Sequence, residues 1–94
     1  MRSLHLGSYD ERTEVVRLHP VLDDEDVPEY FVRFVLFHEL LHAATPSQRD
    51  PGQRYSHHPP SFRTRERAHP DYRRAIDWEE RNLTQLIERA RRGC

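Results

Sequence analysis

Two histidines four residues apart with a glutamate between them carry the chemistry this sequence suggests first: His38-Glu39-Leu40-Leu41-His42. On an α-helix, positions i and i+4 share one face, a single turn apart. Imidazoles at that spacing can hold one Zn²⁺ between them, and Glu39 then reaches a water on the ion. Zinc lowers the pKa of such a water to about 7, within reach of a neighbouring carboxylate acting as base. The five-residue pattern is short enough to recur in unrelated proteins, and a purely structural histidine pair is the alternative. Context favours the metal: the pattern ends an apolar run from Tyr30 to Leu41, and more histidines follow it.

A catalytic zinc takes three protein ligands and leaves a fourth position to water. The third ligand should come from beyond His42, where His57, His58, Glu66, His69 and Glu79 are the candidates. The His57-His58 pair, after a loop, is well placed to fold back over the helix. An oxyanion formed at the metal needs a further donor, and Tyr55, His57, Arg63, His69 and Tyr72 are available.

The elements that must position these groups are legible in outline. Residues 2–7 and 13–19 alternate in polarity around a turn at Gly7-Ser8-Tyr9-Asp10-Glu11-Arg12, which predicts a β-hairpin. Two strands alone are marginal, so the hairpin must pack on a helix. After His19-Pro20 and an acidic connector, Asp26 resembles an N-cap with Glu29 closing a capping box. The helix should run from about Val27 to Ala44, ending before Pro46, and its apolar residues lie all round, which predicts a buried central helix. A loop over 45–57, a short helix near 60–68 and a long helix from about Asp71 to Arg92 complete the chain. On the last helix Tyr72, Ala75, Ile76, Leu83, Leu86, Ile87 and Ala90 share a face, interrupted by Glu79. A carboxylate in that stripe needs a partner, and the ring N–H of a metal-bound histidine is one. Trp78 lies off the stripe and can cover the flank of the core.

Composition narrows the classes. Ninety-four residues make one domain with a small core, which a bound metal would help to stabilise. The only cysteine is Cys94, so no disulfide and no cysteine zinc ribbon are expected, and the reducing cytoplasm is the natural compartment. Met1-Arg2-Ser3 leads into an alternating segment, not an apolar leader, and the apolar run is interrupted by Arg33, so neither secretion nor membrane insertion is expected. All fifteen basic residues are Arg, and the net charge is −1. Residues 61–94 carry nine Arg against six acids, an excess of three that supports at most weak DNA binding.

The sequence resembles the SprT-like zinc metallopeptidases, in which an HExxH helix and a loop are followed by H-x-x-x-[FW]. His38-Glu39-Leu40-Leu41-His42 matches the first part and His58-Pro59-Pro60-Ser61-Phe62 the second, in register with His58 and not His57. Leu6-Gly7-Ser8-Tyr9-Asp10 followed by Val15-Val16-Arg17-Leu18 looks like that family's strand-turn-strand entry. The likeness covers roughly residues 4–65, judged by motifs. It implies an α+β, minimal zincin-like fold, with the hairpin packed on a buried HExxH helix and one or two C-terminal helices. It also implies zinc-dependent hydrolysis of a protein or peptide substrate, with Zn²⁺ on His38, His42 and His58 and Glu39 as general base. The alternative is a zinc-stabilised binding module without turnover, with or without nucleic acid as partner.

Overall fold

A computed structural model describes residues 5–45 and 59–92. The chain is α+β: a two-stranded antiparallel hairpin followed by three helices. Strand β1 covers Gly7–Asp10 and β2 covers Val15–Leu18, in a register that sets Gly7 opposite Leu18 and Tyr9 opposite Val16. The Leu6 carbonyl accepts from the His19 N–H at 2.8 Å, which extends the pairing by one step.

The hairpin is where the sequence reading predicts one, but its turn lies further along. Gly7 to Asp10, expected to open the turn, form β1 instead, and the reversal occupies residues 11–14. Asp10 explains the shift. Its Oδ1 accepts from the backbone N–H groups of Arg12 and Thr13 at 2.8 and 3.3 Å, which satisfies the turn. The Asp10 carbonyl accepts from Glu14 N–H at 2.7 Å, and Glu14 takes a left-handed φ of 57° to close the loop.

Helix α1 spans Glu29–Ala44. Asp26 is not its cap. The N-cap position is Pro28, without a side-chain cap, and the Pro28 carbonyl accepts from the N–H groups of Phe31 and Val32. Pro28 supplies an extended backbone immediately before the first helical turn, so the helix starts two residues later than the capping-box pattern implies. Asp24 and Asp26 instead receive the Arg89 guanidinium at 3.6 and 2.9 Å, tying the far end of the last helix to the entry of α1. At its C-terminus the Thr45 N–H donates to the Leu41 carbonyl at 2.7 Å.

Helix α2 covers Pro60–Arg67 and α3 covers Tyr72–Arg92, both close to the expected bounds. Proline at the first helical position of α2 is pre-organised for a helix and gives up no needed N–H. The core lies between α1, α3 and the segment 20–27. Leu6, Val21, Leu22, Val27, Phe31, Phe34, Val35, Ala75 and Leu86 form one buried cluster, with Trp78 stacked at 4.5 Å on Phe31. The anticipated stripe on α3 is therefore its packing face, and Trp78 covers the flank. Burial of α1 is less complete than its composition suggests: Leu36 and Leu40 are 38% and 50% exposed, so one side of the helix faces outward. None of the described helices is long and apolar enough to cross a membrane.

Leu86 is among the largest fully buried side chains and sits in the core cluster. In so small a core there is little to collapse into a void. Leu86→Ala should cost about 2–5 kcal/mol of unfolding free energy, measured by urea denaturation. A loss under about 1 kcal/mol would mean that α3 does not seal this core.

Candidate metal centre

Three elements converge on the HExxH turn of α1. The first is the helix itself, which brings the His38 and His42 rings to 5.1 Å between centroids, as the i, i+4 spacing dictates. The second is α2. Phe62, only 1% exposed, packs on both rings, at 5.1 Å from His38 and 4.6 Å from His42. One turn further along α2, the Glu66 carboxylate hydrogen-bonds His38 Nδ1. The third is β1, whose Gly7 lies against Glu39.

Gly7 suits that approach. A Cβ at this position would meet Glu39 Cγ and Oε2 at 3.0 Å and the Arg17 carbonyl at 3.3 Å. A side chain here would be tight, and Glu39 or the strand would have to give by a few tenths of an ångström. Glu39 is consequently 6% exposed although it is charged by type.

The electrostatics follow from this packing. Burial raises the Glu39 pKa above the ordinary carboxylate value, and the nearby His38 and His5 only partly offset it. For His38, burial pulls the pKa down. The hydrogen bond and charge of Glu66, with the charges of Glu39 and Glu79, outweigh that and leave it raised. Glu79, half-buried on α3, is pushed up by desolvation; His38 opposes the shift, while Glu66 and Glu80 add to it.

Around this cluster lies a cleft of about 810 Å³, with His38, Glu39 and His42 on one wall and the hairpin on the other. A second cavity, of about 320 Å³, shares His38, Glu39, His5 and Gly7 with the cleft and extends to Glu66 and Glu79. The two histidines, the glutamate and a reaction-sized space thus stand together.

Other candidates fall elsewhere. Tyr55, His57 and His58 lie outside the described residues. His69 sits at the corner between α2 and α3. It packs on Phe37 at 4.6 Å and Phe34 at 5.5 Å, and its Nδ1 accepts from the Asp71 N–H, so its role is to pack and to shape the turn. Tyr72 meets Phe34 edge-on in the core. Arg63 is exposed on α2. Glu66, listed by sequence only as a possible ligand, is the partner of His38 Nδ1, the place expected for Glu79. Glu79 acts on the same histidine through its charge. Among the described residues alone, no group of three or more His, Cys, Asp or Glu is arranged to hold a metal ion.

Sequence reasoning missed His5 and Gly7. The signal for both was present: burial of Leu6 turns its neighbours His5 and Gly7 to the opposite side, where the cleft lies. The arginine cluster offered for nucleic acid is partly engaged within the fold. Arg74 lies 3.8 Å over the Tyr30 ring and bonds Asp71 at 2.7 Å, and Arg65 reaches Thr45.

The His38–Glu66 pair sets a pH test on the metal-free chain. The folded-state pKa of His38 is raised above its ordinary 6.5, so protonation favours the folded form. The stabilisation is fully present below about pH 6.5 and is lost as pH rises through the raised folded value. Glu66→Gln removes the charge, and the His38 pKa should fall in an NMR titration of its ring protons. An unmoved titration would show that Glu66 does not control this histidine. No family model, curated protein or solved structure matches the chain, so the chemistry of this site rests on its own residues.

Proposed function

We propose that the chain is a zinc-dependent peptidase with a minimal zincin-like fold of the SprT-like kind. The observation that carries this reading is the joint placement of His38, Glu39 and His42 on the wall of the large cleft, with His38 Nδ1 held by a carboxylate. A carboxylate on one ring nitrogen is the usual support for a histidine that binds metal through the other. It fixes the ring and would leave the second nitrogen, Nε2, to hold the ion. A structural histidine pair would need neither the buried acid Glu39 nor the glycine that accommodates it.

The donor set suits zinc: two imidazoles at ligand spacing, with a third proposed from His58. Two placements support His58 over His57. Its neighbour Pro59 is buried, and Phe62, four residues on, lies against both histidines of α1. When bound, zinc supplies Lewis acidity, polarising a peptide carbonyl and acidifying water. Glu39 takes the water's proton and later delivers it to the leaving amine. The raised pKa of Glu39 suits both halves of that task, because a carboxylate held strongly acidic would make a poor base. Glu66 keeps His38 oriented. Phe62 excludes water from the back of the two rings and sets the distance of α2 from α1.

A zinc-stabilised module without turnover is the competing reading, and the brevity of the sheet favours it: four-residue strands offer little edge for a substrate backbone. Glu39→Gln separates the two. It should retain zinc while peptide hydrolysis falls about a hundredfold or more, the scale of a lost general base. His58→Ala should lose zinc directly, and His57→Ala should keep it. Zinc content and cleavage of a casein-type substrate are the measurements. Equal cleavage by Glu39→Gln and the parent would end the peptidase reading, and zinc loss on changing His57 alone would move the third ligand.

Zinc should also hold the fold together. The two imidazoles sit between an apolar helix and Phe62, so removing the ion leaves polar groups half-buried without it. Chelation should lower the melting temperature clearly, in proportion to the free energy of metal binding. An unchanged melting curve after verified metal removal would show a fold independent of the ion.

A further inference from the structure

The smaller cavity is not used by the mechanism above, although it adjoins the same catalytic turn. It shares His5, Gly7, His38 and Glu39 with the main cleft, so the two spaces lie against the same residues. Its walls are aromatic and aliphatic: Phe31, Phe34, Val35 and Ile76. Its volume, about 320 Å³, is enough for one long side chain, at the lower end of ligand-sized pockets.

At its α3 side stands Glu79. No hydrogen bond or ion pair from any described residue reaches this carboxylate, and it interrupts an otherwise apolar helix face. A half-buried carboxylate in such a place costs stability unless a cation or donor meets it. Among the described residues no arginine lines the cavity, and His38 is the cationic group whose charge bears on Glu79. Glu66 adds a second negative charge nearby, already committed to His38. The cavity therefore combines apolar wall residues with an acidic side chain that no described residue hydrogen-bonds.

We propose that this cavity is a specificity pocket for a basic side chain, arginine or lysine, adjacent to the bond that is cut, with Glu79 as the recognising group. The inference rests on the peptidase reading of the same site and names its substrate class. An arginine or lysine buries its methylene stem along apolar surface while its charged end seeks a partner. The guanidinium also stacks on aromatic rings such as Phe31 and Phe34 and pairs with a carboxylate through two hydrogen bonds. Burial holds the empty pocket's Glu79 pKa up, and an incoming cation lowers it again, so ionisation of Glu79 is coupled to occupation of the pocket.

The test compares arginine with citrulline, which keeps the shape and removes the charge. Two blocked pentapeptides, acetyl-Ala-Ala-Arg-Ala-Ala-amide and its citrulline analogue, are titrated calorimetrically into the zinc-loaded full chain and its Glu79→Gln variant. Cleavage of both is followed in parallel. The parent should bind the arginine peptide about tenfold or more tightly than the citrulline peptide, and Glu79→Gln should erase the preference with zinc content unchanged. Equal affinity of the parent for both peptides would overturn the pocket, and this comparison needs no variant. A preference that survives in folded Glu79→Gln would overturn the role of Glu79. Binding separates the two readings. Selective binding without cleavage of either peptide refutes the peptidase and leaves the pocket standing. Cleavage of both at equal kcat/KM, with equal affinity, refutes the pocket and leaves the peptidase standing.

Discussion

A buried carboxylate pressed against a glycine is the constraint on which this fold turns. Glu39 lies in the most apolar helix of the chain and is almost wholly withdrawn from solvent. It fits closely against β1 at Gly7, where a Cβ would stand only 3.0 Å from its side chain. The hairpin thus comes within a short distance of the helix at a residue without a side chain. That distance in turn defines the cleft, whose far wall is the hairpin itself. The two short strands form the lid of a polar site more than they form a sheet, and their poverty as a sheet is tolerable because α1 supplies their packing partner.

Helix α2 performs the complementary task from the other side. Eight residues suffice because only two of them need to meet the histidines: Phe62 as an apolar buttress and Glu66 as a hydrogen-bond partner. They are four apart, so a single turn places both on the face toward α1. Here the order of causes runs from spacing to packing to chemistry. The i, i+4 step on α1 pairs the imidazoles, and the i, i+4 step on α2 pairs their supports. Helix α3 contributes Ile76 and Glu79 to the smaller cavity beside the site. It closes the core through Ala75 and Leu86 and, through Arg89, anchors the acidic segment that leads into α1.

Much of this was legible in the sequence because helical periodicity is strong and repeated. The bounds of α2 and α3, the packing stripe on α3 and the place of Trp78 all follow from spacing alone. The errors occurred where a single residue overrides a pattern. Asp10 captures the turn through its own side chain, which moves β1 forward to include Gly7. Asp26 fits a capping box, but Pro28 takes the N-cap and Arg89 claims the aspartate, a contact across sixty-three positions that no local pattern contains. The choice of Glu66 over Glu79 as the partner of His38 depends on how α2 docks, and sequence period does not report docking. Exposure of Leu36 and Leu40 is of the same kind, since an all-apolar helix gives no indication of which side its neighbours leave open.

The charge balance around His38 argues for a cationic occupant more strongly than any one contact does. Glu39, Glu66 and Glu79 all bear on this ring, and two of them have their pKa values raised by burial. Against them the described wall of the cavity offers only His5 and His38. Carboxylates withdrawn from water either take up protons or gather positive charge, because an uncompensated buried anion is expensive. In the metal-free chain His38, its pKa raised by the surrounding acids, meets part of that demand. A divalent ion on the histidines would add charge there, beside Glu39. The ion acts chiefly on the acid next to it, and Glu79 stands on α3, across the cavity. A side chain with its own charge at the end of an apolar stem completes the balance there, so the same excess of buried acid that favours a metal at one end of the site favours a basic residue at the other.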